Sequence, residues 1–290
     1  MYDLIIIGSG PAGISAAIYA ARRKIKFLII GMQIGGQMLW DSNVENYPGF
    51  NFISGFDLVK KFQEHMKHYN ININQEEVID IRKKGKIISV RTKNKEYKTK
   101  ALIIASGKKP RKLNVPGEDK FLGKGVSYCA VCDAPFFKNK TVIVAGGGNS
   151  ALGSCLFLSK YAKKIYLMDI NPKLGGDAIL RDKVLKNKKI NYINNSNIKE
   201  IFGDKNVKGL SYEREGKKLR LKTDSVFIEI GLVSNCDFAK IIKKNKWGEI
   251  MIFRSTITNE ENITNIPGIF AAGDVTDIPA KQIAVAVGEG

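Results

Sequence analysis

The 290 residues are enough for about two domains, and a hydrophobic fraction of 44% is ordinary for a globular protein. No apolar run is long enough to cross a bilayer and no basic flank or cleavage signature marks a leader, so neither a membrane partner nor secretion is expected. The net charge of +19, from 47 Lys and Arg against 28 Asp and Glu, is scattered over separate segments without a nucleic-acid-binding signature, so no nucleic-acid partner is expected; the charge can steer an anionic dinucleotide or an acidic partner.

In chain order, Leu4 to Ile7 is an apolar run closed by Gly8, as expected of a buried parallel strand. Gly8-x-Gly10-x-x-Gly13 follows, with Pro11 placed for a helix start; an alanine-rich helix over Ile14 to Arg22 and a strand over Lys26 to Ile30 complete the pattern. Strand, glycine turn, helix and strand within about thirty residues read as a dinucleotide-binding unit. The glycines let the backbone approach a pyrophosphate, and the helix end offers free N–H groups. No acid ends the second strand to take a ribose hydroxyl: the stretch is Ile30-Gly31-Met32-Gln33, which leaves backbone or Gln33 for that contact. Gly35-Gly36-Gln37 is a further tight stretch able to lie close to a cofactor. Ser54 is a candidate N-cap for a helix to about Tyr69, in which His65 and His68 read as a solvated face rather than a metal pair. Val78 to Thr99 alternates as a β-meander, and Ala101 to Ala105 reads as another buried strand.

Leu113 to Gly117 reads as the linker into a second domain. Tyr128-Cys129-Ala130-Val131-Cys132-Asp133 comes next. Two cysteines at this spacing can close a small reducible disulfide, and the spacing lowers the pKa of one thiol. Asp133 is placed to hand a proton to a leaving thiolate. Structural zinc needs four ligands, and Cys155, Cys236, His65 and His68 are far away in the sequence; a redox pair is favoured over zinc and over an inert pair. Cys155 reads as a small core residue, and Cys236 has no visible partner. Four cysteines with one reactive pair fit a reducing cytoplasm.

A second unit follows: strand Thr141 to Ala145, turn Gly146-x-Gly148-x-x-Ala151, helix to about Lys160, strand Lys164 to Met168, then Asp169. Asp169 stands where a carboxylate accepts from the adenosine ribose 2′-OH and repels a 2′-phosphate; a cap on the next turn is the competing reading. Ile170 to Gly176 holds one lysine and no arginine, so NADH is expected over NADPH. Gly8 and Gly146 are offset by the same interval as Gly10 and Gly148, and Ala105-Ser106-Gly107 has an echo in Glu229-Ile230-Gly231. This reads as a diverged internal duplication. Strands are expected from Lys189 through Thr223 and again over Trp247 to Ile252. Ile269 to Val275 is an apolar strand ending at Gly273-Asp274, whose carboxylate suits a sugar-like hydroxyl chain. Lys281-Gln282-Ile283 opens a helix that stops at Gly290 in mid-pattern, so a further helix is expected after it.

The chain resembles the low-molecular-weight thioredoxin reductases along essentially its whole length. The resemblance rests on GSGPAG at Gly8 to Gly13, GGQ at Gly35 to Gln37, ENYPG at Glu45 to Gly49, CAVCDAP at Cys129 to Pro135, GGGNSA at Gly146 to Ala151 and AAGDV at Ala271 to Val275. It implies an α/β fold of two Rossmann-like domains, the second inserted in the first: an FAD-binding domain of residues 1–112 and 242–290, and an NAD(P)-binding domain of residues 113–241 carrying the redox pair. It implies FAD on Gly8, Gly10, Pro11, Ala12, Gly13, Gly36, Gln37, Asn46, Gly107, Gly273, Asp274, Lys281, Gln282 and Ile283. It implies a nicotinamide cofactor on Gly146, Gly148, Asn149, Ser150, Ala151, Asp169 and Gly231.

The same resemblance implies a homodimer, thioredoxin or a glutaredoxin-like protein as partner, Cys132 facing the flavin, Cys129 attacking the partner and Asp133 as proton donor. NADPH-dependent members carry a histidine-arginine-arginine stretch where this chain has Asp169 to Asp177. There, at Asn114 to Asp119 and at Lys281 to Ile283, the chain is similar instead to the flavoprotein subunit of alkyl hydroperoxide reductase, an NADH enzyme with an extra N-terminal thioredoxin-like domain. A peroxide-reducing system with a separate relay protein and a ferredoxin-linked flavin thioredoxin reductase are the alternatives; the intact Gly146-x-Gly148 turn argues against the latter.

Overall fold

The computed structural model describes residues 1–40, 44–255 and 261–290. Within them the chain divides into two units, residues 1–109 with 233–290, and residues 110–232. The first unit opens with Tyr2–Ile7 (β1), Pro11–Arg22 (α1) and Phe27–Ile30 (β2), and β2 runs parallel to β1 with Ile7 level with Ile30. Ile5 and Ile7 are buried in one core cluster and Ile6 in another, on opposite faces of the strand. Each such burial stabilises the fold by roughly 1.5–3 kcal/mol. Gly55–His68 (α2) begins where expected: Asp57 N–H donates to Ser54 Oγ at 3.1 Å. His65 and His68 are exposed and pack on the Tyr69 ring.

Ile73–Asn74 (β3), Val78–Lys84 (β4), Ile87–Thr92 (β5), Glu96–Ile104 (β6) and Lys108–Pro110 (β7) follow. The expected meander and the expected buried strand are joined: β6 is one strand serving both. Its first half pairs antiparallel with β5, while Thr99 to Ile104 lie parallel to β1.

The second unit holds Val126–Ser127 (β8), Ala130–Asp133 (α3), Thr141–Ala145 (β9), Asn149–Leu158 (α4), Lys164–Met168 (β10), Ala178–Lys186 (α5) and Ile190–Ile193 (β11). Asn197–Gly203 (β12), Val207–Arg214 (β13) and Lys217–Lys222 (β14) form an antiparallel sheet of their own, and Ser225–Ile228 (β15) returns to the first. That parallel sheet has the order β11-β10-β9-β15-β8. Successive strands step one way from β9 to β11 and the other way to β15, which makes β9/β15 the switch point where such sheets bind ligands.

The chain re-enters the first unit through Leu232–Ser234 (β16), then Ile269–Ala271 (β17) and Ile283–Glu289 (α6). The first sheet has the order β3-β2-β1-β6-β5-β4, with β17 beside the second half of β6. The crossings fall at 109/110 and 232/233, whereas the sequence reading placed them at 112/113 and 241/242. Leu113 and Val115 pack on the second unit's core. Leu113 and Asn114 N–H donate to the buried Glu118 carboxylate at 3.0 and 2.7 Å, so the expected linker is a built loop. Cys236, Ala239 and Ile242 are buried beside Ile5 and Ile7, which draws that stretch into the first unit. Trp247 to Ile252 forms no strand; Ile250 only bridges Lys244 and Thr276. No helix among the described residues is long and apolar enough to cross a membrane.

Candidate active site

Gly8 has φ of 113°, and a Cβ on it would stand 2.1 Å from Ala105 O, so only glycine lets β1 turn beside the end of β6. Gly10 caps α1 with Pro11 at its first position, and its Cα faces open space. The α1 end lines a cavity of about 840 Å³ in the first unit, within the range of cofactor pockets. All the residues expected to hold FAD line this cavity except Gly13. Gly13 serves packing: a Cβ there would sit 1.9 Å from Gly8 O.

Around the cavity, Gln37 Nε2 donates to Asp274 Oδ2 at 3.3 Å and Asn46 Nδ2 donates to Gln282 Oε1 at 2.9 Å. Burial pushes the Asp274 carboxyl up, against the pull of Lys281, Gln37 and Lys108. Lys108 and Lys281 also line the cavity, and both approach Glu249, at 2.9 and 3.5 Å. Burial raises Glu249, but Lys108, Asn245 and Lys281 outweigh it and hold the carboxyl below its ordinary value. Sequence reasoning missed Lys108 and Glu249; no motif marks either. Ser9, also missed, donates through Oγ to Gln33 O at 2.8 Å, tying the turn to the stretch that lacks an acid. Glycine backbone at a helix end, hydrogen-bonding side chains and a carboxylate in one elongated cavity fit a flavin dinucleotide.

The second turn repeats the device. Gly146 has φ of 129°, and a Cβ on it would stand 2.1 Å from Glu229 O. Gly148 caps α4, whose first residue Asn149 accepts Asp177 N–H at 2.8 Å; Ala151 is buried. Asp169 is buried, and its Oδ1 accepts from Asn171 N and Nδ2, both at 3.1 Å. Its Oδ2 is buried without a protein partner and occupies the space beside Gly147, where a Cβ would come within 1.8 Å. One oxygen therefore caps the turn, and the other has an unfilled acceptor capacity that a ribose hydroxyl would satisfy. The donor set fits an adenosine dinucleotide.

Cys129 and Cys132 form a disulfide, with Cα atoms 5.4 Å apart. Cys129 caps α3, and Cys132 N–H donates to its Sγ at 3.2 Å. Ala130 and Ala134 are buried in the α4 core cluster and fix this turn; Cys132 is exposed, while Cys129 and Asp133 are half-buried. The parallel register puts Met168 level with Ala145, Ala145 with Ile228, and Phe227 with Ser127. Asp169, Gly146, Glu229 and Cys129 thus follow the ends of four neighbouring strands, β10, β9, β15 and β8, at one edge of the sheet. Gly231 follows at φ 96°, its carbonyl accepting Arg111 N–H at 2.9 Å. Cys155 is buried in the core as expected, and Cys236 is buried with its Sγ donating to Gly248 O at 3.3 Å.

Residues 2–290 match the pyridine nucleotide-disulphide oxidoreductase family. The thioredoxin reductase of Listeria monocytogenes is 41% identical over 100% of this chain and 91% of that protein. A Bacillus subtilis protein named NADH dehydrogenase is 34% identical over 100% of this chain and 56% of its own length. The crystal structure of Lactococcus lactis thioredoxin reductase superposes with a TM-score of 0.89 at 37% identity, covering 100% of this chain and 95% of that one. The chain belongs to the pyridine nucleotide-disulphide oxidoreductase family.

Proposed function

We propose that this chain is a flavin-dependent thioredoxin-disulfide reductase that takes electrons from NADH. The observation that carries the reading is the Cys129–Cys132 disulfide at the same sheet edge as a complete dinucleotide turn. The first unit's cavity would hold FAD through the Gly8 to Gly13 turn, Gln37, Asn46, Asp274 and the start of α6. An FAD held there would supply two-electron chemistry between a nicotinamide and the disulfide. The second unit would hold the nicotinamide dinucleotide on Gly146, Gly148 and the α4 end, with Asp169 on the ribose. The L. monocytogenes and L. lactis relatives support the thioredoxin substrate, and the B. subtilis NADH dehydrogenase supports NADH.

On the protein side, an electron pair entering the disulfide yields two thiolates, and Asp133, next to Cys132 in the chain, would protonate one and later recover that proton, leaving the other as the nucleophile. Cys129, as thiolate, attacks the partner's disulfide and forms a mixed disulfide; Cys132 then attacks Cys129, releases the reduced partner and restores the starting bond. A homodimer in the cytoplasm with thioredoxin or a glutaredoxin-like protein as partner completes the reading. The purified protein should be yellow with about one FAD per chain. NADH should bleach the flavin under anaerobic conditions and drive reduction of a thioredoxin disulfide. Bleaching by reduced ferredoxin but by neither nicotinamide would replace the electron donor in this account. A Cys132→Ser variant should trap the partner on Cys129; a trap on Cys132 in the Cys129→Ser variant instead reverses the two roles.

A further inference from the structure

The two dinucleotide turns differ at a position beside the nucleotide. The left-handed glycine in each lies against the carbonyl that ends a neighbouring strand: Ala105 for Gly8 and Glu229 for Gly146. Ala105 lines the first unit's dinucleotide cavity. Its counterpart Glu229 stands directly after β15, level with Gly146, because Ile228 pairs with Ala145. That is the side of the switch point opposite Asp169. With the adenosine ribose at Asp169 and the pyrophosphate on the α4 end, the far end of a dinucleotide falls on the β15 side. Glu229 Oε1 accepts the Ser154 hydroxyl of α4 at 2.6 Å, and no ion pair to the carboxyl occurs among the described residues.

We propose that the Glu229 carboxyl reads the charge of the nicotinamide ring, favouring the cationic oxidised ring over the neutral reduced one when it is ionised. The inference rests on the reading of the Gly146 turn as the nicotinamide dinucleotide site. When hydride leaves, a neutral dihydropyridine becomes a cationic pyridinium, and a carboxylate beside it stabilises that product. Partial burial strengthens the attraction by lowering the local dielectric. Burial also pushes the Glu229 carboxyl up to about 7, against the Ser154 hydrogen bond, so its charge changes in the neutral range. Among its neighbours, α4 presents Ser154 and the Cys155 thiol, which burial and Glu229 push far upward and which stays uncharged; the β9 turn presents glycine backbone, and Cys129 after β8 is held in the disulfide. No lysine, arginine or second carboxylate shifts it.

Calorimetric titration of the oxidised holoenzyme with three probes tests this. NAD⁺ carries the cationic ring, the 1,4,5,6-tetrahydronicotinamide analogue carries a neutral ring that donates no hydride, and ADP-ribose carries no ring. The preference for NAD⁺ over the neutral-ring analogue should rise about tenfold from roughly pH 6 to pH 8.5, the effect of a one-unit shift in Glu229 between the two complexes. Glu229→Gln, which keeps an acceptor for Ser154, should flatten that rise and leave ADP-ribose binding unchanged. Ser154→Ala should move the midpoint of the rise to higher pH, since its hydrogen bond favours the carboxylate; a merely structural Glu229 would not do this. A pH-independent preference, or an equal rise in Glu229→Gln, overturns the proposal while ADP-ribose binding leaves the dinucleotide site standing. Failure of ADP-ribose to bind overturns the site and the proposal together.

Discussion

Gly8 and Gly146 turn the chain in the same way, at φ of 113° and 129°, each with a strand-end carbonyl 2.1 Å from where a Cβ would be. The residues that end the surrounding strands are different. After β2 come Gly31, Met32 and Gln33; after β10 comes Asp169 with its buried, unpartnered oxygen. Beside the turn stands Ala105 in one unit and Glu229 in the other. The second sheet adds the Cys129–Cys132 disulfide after β8, whereas the first unit's Cys236 is buried beside β1. In the proposed reading the backbone of the turn would provide for a pyrophosphate, which every dinucleotide has, and the strand ends would choose which dinucleotide and what chemistry.

The widest separation between the units comes from the thiols. Cys129→Ser or Cys132→Ser should reduce thioredoxin reduction to background while nicotinamide still bleaches the flavin in a stopped-flow trace. Disulfide reductase activity retained in both variants would remove the pair from the mechanism. Next come the glycines. A methyl at either turn glycine is placed against a carbonyl in a left-handed conformation, a cost on the order of 3–5 kcal/mol. Gly8→Ala should lose FAD and colour. Gly146→Ala should stay yellow and lose ADP-ribose binding by calorimetry. If either variant lost both ligands, the two turns would not be separable sites.

Glu229 supplies a smaller effect, on stability. Its carboxyl rises from 4.5 to about 7 on folding because it is buried. Below pH 4.5 it is protonated in both states; as pH rises toward 7 the unfolded chain ionises first, so the folded state holds more protons. Stability is therefore lost with rising pH across that window, by up to about 3 kcal/mol, and the loss is complete above it. Urea unfolding at pH 5 and pH 8 should show a shallower loss in Glu229→Gln. An identical pH slope in the two proteins would place Glu229 in contact with water.

Both turns were legible in the sequence because glycine spacing, apolar strands and the helix start all report the same local backbone. The match of Ala105-Ser106-Gly107 with Glu229-Ile230-Gly231 proved to be structural: residues 105 and 229 meet the two turn glycines, and Gly107 and Gly231 both have positive φ. The expected unit boundaries differ from the two contact-defined crossings by three and nine residues. Leu113 to Gly117 has linker composition, yet Glu118 from further along the chain binds its N–H groups. Cys236, Ala239 and Ile242 belong with β1, a partner that lies more than two hundred residues away and leaves no local trace. Trp247 to Ile252 has strand composition, but Ile250 N–H is taken by Val275 O, so local propensity yields to a tertiary hydrogen bond. Lys108, on the cavity wall, meets Glu249 through the same kind of distant pairing.

Asp169 gives the finest distinction, because its two oxygens do different things. Oδ1 holds Asn171 at 3.1 Å, while Oδ2 is the group free to accept from a ribose 2′-OH. A hydrogen bond to a charged acceptor contributes roughly 1.5–3 kcal/mol, and a 2′-phosphate in the same place meets a carboxylate instead. Wild-type protein should therefore prefer NADH over NADPH in kcat/KM by about tenfold or more. Asp169→Ala removes both functions and should narrow the gap mainly by weakening NADH. Asp169→Asn separates them: its carbonyl can still hold Asn171, while the negative charge is gone, so NADPH should gain relative to NADH with little loss of stability. Equal narrowing in both variants assigns the discrimination to charge. Narrowing only in Asp169→Ala assigns it to the shape of the 169–171 turn. A wild-type preference for NADPH would overturn the reading of Oδ2, and the exposed Lys173 would then be the first residue to test as a phosphate ligand.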